Sequence, residues 1–267
     1  MVIDPDQEVR TAERPDDLGI RAGERNDSHV GRLHREADAR FPFVRGTAEH
    51  MWGLTPVRFG VSPFPFLAVS PRSRELAETP STMPALGTVA ADFSLPEPAT
   101  GQTRSLADFT QEALLVMVLS NHCPFVKHIA KELADFARTY QQKGVGVVAI
   151  NGNDVGSYPA DSPEKMIDEV EARGYTFPYL FDETQEVVRA YRAACTPDFF
   201  LYDRDRKLVY RGQFDSSRPS TPTPVTGQDL RAACDAVLAG ELPDDDQRPS
   251  IGCNIKWKPG NAPEWFG

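Results

Sequence analysis

Seven consecutive apolar residues, Ala113-Leu114-Leu115-Val116-Met117-Val118-Leu119, give way to a polar turn, Ser120-Asn121-His122, and then to Cys123-Pro124. A short unbroken apolar run is the pattern of a strand buried on both faces. Beyond the proline, Val126, Ile129, Ala130, Leu133, Phe136, Ala137 and Tyr140 recur at steps of three and four, and the pattern stops at Gly144. Val145-Gly146-Val147-Val148-Ala149-Ile150 reads as a second buried strand. Strand, helix and strand over this distance make a βαβ unit with parallel strands and a right-handed crossover.

The rest of the chain extends that unit. Ser162-Pro163-Glu164 combines an N-cap, a proline at the first helical position and an acid in the first turn, predicting a helix to Arg173 with Gly174 closing it. Tyr179-Leu180-Phe181 reads as a short strand and Gln185 to Ala193 as a short helix. Phe199 to Tyr202 and Leu208 to Phe214 flank a charged turn and predict an antiparallel hairpin. Gly227 to Leu238 is an amphipathic helix, in which Leu230, Ala233, Cys234, Val237 and Leu238 share the apolar face. This order predicts an α/β protein with a mixed central sheet flanked by helices on both faces, and the thioredoxin-like fold fits it.

Residues 1–82 lack lysine and contain proline clusters such as Ser62-Pro63-Phe64-Pro65-Phe66, without sustained periodicity. They are expected to be disordered, or to lie upstream of a natural start at Met83 or Met51, with a small N-terminal domain as the competing reading. Residues 83–240 are expected to form the domain and 241–267 a C-terminal tail.

The formal charge of −10 and the absence of a basic stripe argue against nucleic acid as partner. No stretch approaches the roughly eighteen apolar residues of a membrane span. Met1-Val2-Ile3-Asp4-Pro5-Asp6 lacks the basic and apolar regions of a secretory signal. A cytoplasmic location is therefore expected, where four cysteines are free, catalytic or inert rather than a disulfide framework.

Cys123 lies past the carboxyl end of the first central strand, the edge where open α/β sheets place their sites, and in the first turn of a helix. Unpaired helical N–H groups favour thiolate there, and Pro124 costs nothing because it has no N–H to offer. Lys127, His122 and His128 are close in sequence. Together they lower a thiol pKa from about 8.5 toward neutrality. The competing reading is an inert buried cysteine, against which the polar residues Ser120, Asn121 and His122 argue. Thr196-Pro197, between a helix and a strand, reads either as a cis peptide whose loop approaches Cys123 and presents backbone to a substrate strand, or as an ordinary trans proline opening a strand.

These residues resemble the peroxiredoxin-like branch of the thioredoxin superfamily, the group of alkyl hydroperoxide reductase and thiol-specific antioxidant proteins. The resemblance rests on Ala90-Ala91-Asp92-Phe93-Ser94-Leu95-Pro96, Asn121 to His128, Ala149-Ile150-Asn151, Ala194-Cys195-Thr196-Pro197-Asp198-Phe199-Phe200 and Gly252 to Trp257. Two departures accompany it. Val126 stands where thioredoxins carry the second cysteine of Cys-x-x-Cys, and Val116 stands where peroxiredoxins carry proline.

What the resemblance implies is an antioxidant oxidoreductase that reduces peroxides through Cys123. Ser120 and Arg211 would orient the peroxide, the Arg211 role competing with a plain surface ion pair. Cys195 or Cys253 would condense with the sulfenic acid, Cys195 being the nearer in this fold and Cys253 sitting on a mobile-looking tail. Cys234 is read as core. The implied partners are a peroxide or disulfide substrate and a cellular thiol reductant, with no cofactor, no metal and a homodimer left open. The alternatives are a thiol–disulfide oxidoreductase acting on a protein partner, and a non-catalytic module of the same fold in which Cys123, His122 and His128 ligate a metal.

Overall fold

The computed structural model describes residues 78–266. The elements in chain order are β1 (Glu78–Pro80), β2 (Ser94–Glu97), β3 (Gln102–Ser105), β4 (Ala113–Val118), α1 (Pro124–Gln142), β5 (Val145–Asn151), α2 (Pro163–Arg173), β6 (Tyr179–Phe181), α3 (Glu186–Ala190), β7 (Cys195–Thr196), β8 (Asp198–Tyr202), β9 (Leu208–Gly212), α4 (Gln228–Leu238) and β10 (Ile251–Asn254).

Five strands form the central sheet in the order β6-β5-β4-β8-β9. β4 pairs parallel with β5 and antiparallel with β8, so the sheet is mixed, as the element order predicts. Every residue of β4 and β5 is buried, which is why these strands read as continuous apolar runs instead of alternating ones. One face carries α1, α2 and α4 through Phe125, Ile129, Leu133, Phe136, Met166, Leu230 and Cys234. The other face carries α3 and the β2–β3 hairpin through Val188, Tyr191, Phe93 and Leu95, and Ile255 joins it. Fully burying side chains such as Leu114, Leu115 and Met117 stabilises the fold by roughly 1.5–3 kcal/mol each.

Local chemistry sets the helix ends. The Ser162 hydroxyl accepts from Lys165 N, Pro163 occupies the first helical position, and Gly174 closes α2 at φ 65° and ψ 39°, a left-handed conformation that suits glycine.

The main departure from expectation is a second sheet, β1-β10-β7. The segment expected as a free tail supplies β10, which pairs antiparallel with β1 on one side and β7 on the other. β1 lies upstream of Met83, so ordered structure begins before the expected boundary at residue 83. Residues 1–77, and with them most of the expected disordered segment, fall outside the described residues.

Candidate active site

The carboxyl end of β4 leads through Leu119, Ser120, Asn121 and His122 into Cys123, which is the N-cap of α1 with extended backbone angles. Pro124 holds the first helical position, and the Val126 N–H, one of the free donors of the first turn, is directed at the Cys123 sulfur. Opposite stands the β7–β8 connection. The Thr196–Pro197 peptide is cis, and the Thr196 carbonyl lies 3.1 Å from Cys123 Sγ, where it accepts the S–H of the protonated form.

The third wall is β10. Its register sets Cys253 opposite Thr196 and Asn254 opposite Cys195. This brings Cys253 beside Cys123, where its S–H serves as hydrogen-bond donor to the thiolate form. That bond is the largest influence on Cys123. Burial opposes ionisation, the Thr196 hydroxyl and the Val126 and Cys253 N–H groups favour it, and the thiol is lowered to about 6. The same bond, together with burial, raises Cys253, which keeps its proton. Cys123 is 0% exposed, whereas Cys253 is partly exposed.

Cys195 is fully buried, its sulfur 3.7 Å from the Pro197 carbonyl and 3.9 Å from that of Ser250, and burial pushes its thiol well up. Of the two cysteines expected as resolving thiols, Cys253 is thus the one that acts most strongly on Cys123. Expectation favoured Cys195 because it neighbours the proline loop in sequence, but its side chain turns toward the carbonyls of that loop and of Ser250. Cys234 is buried in the core on α4, and burial raises its thiol.

Ser120 and Arg211 are placed elsewhere. The Ser120 hydroxyl donates to Asp161, at 3.2 Å from Oδ1 and 3.0 Å from Oδ2. Arg211 is paired opposite Phe200, whose side chain packs on the sheet face away from α1. Its Nη1 and backbone N donate to Gln247 Oε1 at 2.8 and 3.0 Å. The imidazoles diverge as well, His122 toward Asp161 and His128 toward Ser217. Among the described residues no group of three or more His, Cys, Asp or Glu is placed to hold a metal ion.

Sequence reasoning missed Asp161. This carboxylate is 0% exposed and accepts from Ser120 Oγ, from Asn121 N at 2.7 Å, from His122 Nδ1 at 2.7 Å and from Asn153 Nδ2 at 2.7 Å. Burial works against its charge, but the bonds from His122, Asn153 and Asn121 prevail and hold it below the usual carboxylate range. The Asn121 side-chain Oδ1 in turn accepts from Tyr179 Oη at 3.0 Å, and the His122 ring stacks on Tyr158 with centroids 5.2 Å apart. The network fixes the turn that delivers Cys123 to the helix start. Asp161 sits in a three-residue 3₁₀ turn, Pro159–Asp161, which carries no periodic signal, so only an isolated acid beside proline could have marked it.

A βαβ unit ending in a cysteine at a helix N-terminus, faced by a cis-proline loop, defines a thioredoxin-like redox domain. Residues 86–211, just under half of the chain, match the AhpC/TSA family model. The solved structure of an uncharacterized conserved protein from Geobacillus kaustophilus is 53% identical, with a TM-score of 0.68 over 68% of this chain and 97% of that one. A hypothetical protein from Sinorhizobium meliloti 1021 is 56% identical, with a TM-score of 0.67 over 68% of this chain and 100% of that one. Thiol-disulfide oxidoreductase ResA of Geobacillus thermodenitrificans is 28% identical over 130 residues, 49% of this chain and 70% of that protein. Among the described residues no helix is long and apolar enough to cross a membrane.

Proposed function

We propose that this protein is a thiol–disulfide oxidoreductase whose working pair is Cys123 and Cys253. The observation that carries the reading is the strand register that sets Cys253 opposite Thr196, whose carbonyl lies 3.1 Å from Cys123 Sγ, so that the two cysteines flank one residue, with Cys123 favoured as thiolate. A low-pKa thiolate in contact with a second thiol is the arrangement from which an internal disulfide forms and reopens. Cys253 supplies from a remote strand what Val126 denies at the usual position. The likeness to thiol-disulfide oxidoreductase ResA supports the same chemistry.

Peroxide reduction, which the sequence resemblance favours, has weaker support. It calls for Ser120 and Arg211 at the sulfur, yet Ser120 donates to Asp161 and Arg211 to Gln247. The AhpC/TSA match is compatible with either reaction.

The cycle runs between a dithiol and a Cys123–Cys253 disulfide, two electrons passing to or from an external disulfide or thiol. Rapid-mixing kinetics of the reduced protein with a small disulfide and, separately, with hydrogen peroxide test the proposal. Formation of the Cys123–Cys253 disulfide under the small disulfide, lost in Cys123→Ser, with sluggish peroxide consumption, is the expected result. Fast stoichiometric oxidation by peroxide with slow exchange would overturn it.

A further inference from the structure

In thiol–disulfide exchange the incoming sulfur approaches along the axis of the bond it breaks, so access to each end of a disulfide decides which sulfur is attacked. The two ends here are unequal. Cys123 is 0% exposed, backed by the first turn of α1 and by Phe125 and Val126, and faced by the Thr196 carbonyl. Cys253 is partly exposed on β10. Of the two ends, Cys253 is therefore the one nearer solvent.

β10 is also no loose strap. It is paired on both edges, and beyond it Ile255 N donates to the Ala194 carbonyl at 3.1 Å, Lys256 N to Asn153 Oδ1 at 2.8 Å and Lys258 N to Gln185 Oε1 at 2.8 Å. The backbone beside Thr196, where an extended peptide substrate would add as a strand, is already taken by the chain itself.

From this asymmetry we infer that Cys253, not the helix-start Cys123, is the sulfur that exchanges with the external partner, and that the partner is a small thiol or disulfide, or a cysteine on a flexible segment, rather than a peptide that pairs as a strand. The inference rests on the dithiol reading above. In the reductive direction an external thiolate attacks the Cys253 sulfur, forms a mixed disulfide there and expels Cys123 as thiolate. A second external thiolate then attacks the external sulfur of that mixed disulfide and releases Cys253, which takes a proton. Two external thiols become one disulfide, and the protein gains two electrons. The lower-pKa sulfur leaves faster, so the helix start and the bonds to Cys123 favour departure of that end. Lys256, whose positive charge acts on Cys253, favours an anionic attacker at the same end.

The test uses the full-length wild-type chain. The oxidised protein is first mapped by peptide mass spectrometry for the Cys123–Cys253 bond. It is then exposed for milliseconds to substoichiometric reduced glutathione, acid-quenched and blocked with N-ethylmaleimide. Glutathione is expected on Cys253 and the maleimide on Cys123, with a preference of at least about tenfold, and Cys123→Ala should still acquire glutathione at Cys253 from glutathione disulfide. With the bond present, glutathione on Cys123, or divided equally, overturns the assignment alone. Absence of the bond from the oxidised protein overturns the dithiol reading and this inference with it.

Discussion

Cys253 lies on a strand whose register places it opposite Thr196, the residue before the cis proline, and the carbonyl of that same Thr196 lies 3.1 Å from Cys123 Sγ. Cys123 thus has the second half of a redox pair beside it although the sequence around it contains no other thiol. Cys253, from the far end of the domain, is the largest influence toward the thiolate, and the helix start adds to it.

The hydrogen bond has a signature. Cys123 in the reduced protein should titrate with a midpoint of about 6, followed by thiolate absorbance. Cys253→Ala removes the largest stabilising contact and should raise that midpoint by about 1–2 units. Cys253→Ser keeps a donor and should restore most of the shift.

The position of β10 depends on Gly252. A Cβ there would meet the Thr196 carbonyl oxygen at 2.0 Å, against backbone that cannot yield cheaply. Gly252→Ala should therefore push β10 off β7, move Cys253 away from Cys123 and slow internal disulfide formation by about tenfold or more. The measurement is the oxidation rate of the variant under a small disulfide, with circular dichroism checking that the central sheet persists.

Asp161 gathers four donors around a fully buried carboxylate. Asp161→Asn turns two of those contacts into donor–donor clashes and should cost about 2–4 kcal/mol in denaturant unfolding. The folded carboxyl titrates below its unfolded value, so its contribution is present above about pH 4 and lost as pH falls through the folded pKa. Loss of wild-type stability below about pH 4 should be blunted in the variant.

Asp198 has the opposite sign. It is fully buried on β8, accepts from Phe199 N at 3.2 Å, and burial pushes it up to about 7. The folded state holds its proton through the interval in which the unfolded chain releases it, so stability falls as pH rises from about 4 to about 7. Asp198→Asn should change little near pH 4 and stabilise the protein by on the order of 2–4 kcal/mol at pH 8, measured by denaturant midpoints at both values.

The features legible in the sequence were local ones. Unbroken apolar runs marked β4 and β5, steps of three and four marked α1, and the Ser162-Pro163 and Gly174 pair marked both ends of α2, because each signal lies within a few residues of the structure it specifies. Cys123 was legible for the same reason. β10 was not, since Ile251–Asn254 is four residues long, contains Gly252 and takes its strand character from partners at Glu78–Pro80 and Cys195–Thr196. Choosing between Cys195 and Cys253 required that pairing. Ser120 was legible as a polar residue near the thiol, but the target of its hydroxyl, Asp161, lies 41 residues away in a turn without periodicity.

The most direct test of the Cys123–Cys253 pair is an equilibrium redox titration of the full-length protein in glutathione buffers, with each point alkylated and mapped by mass spectrometry. A single two-electron transition is predicted, in which Cys123 and Cys253 disappear together as free thiols and reappear in one linked peptide, while Cys195 and Cys234 stay reduced throughout. An oxidised state in which Cys123 is linked to Cys195, or in which Cys123 and Cys253 oxidise independently, would contradict the account.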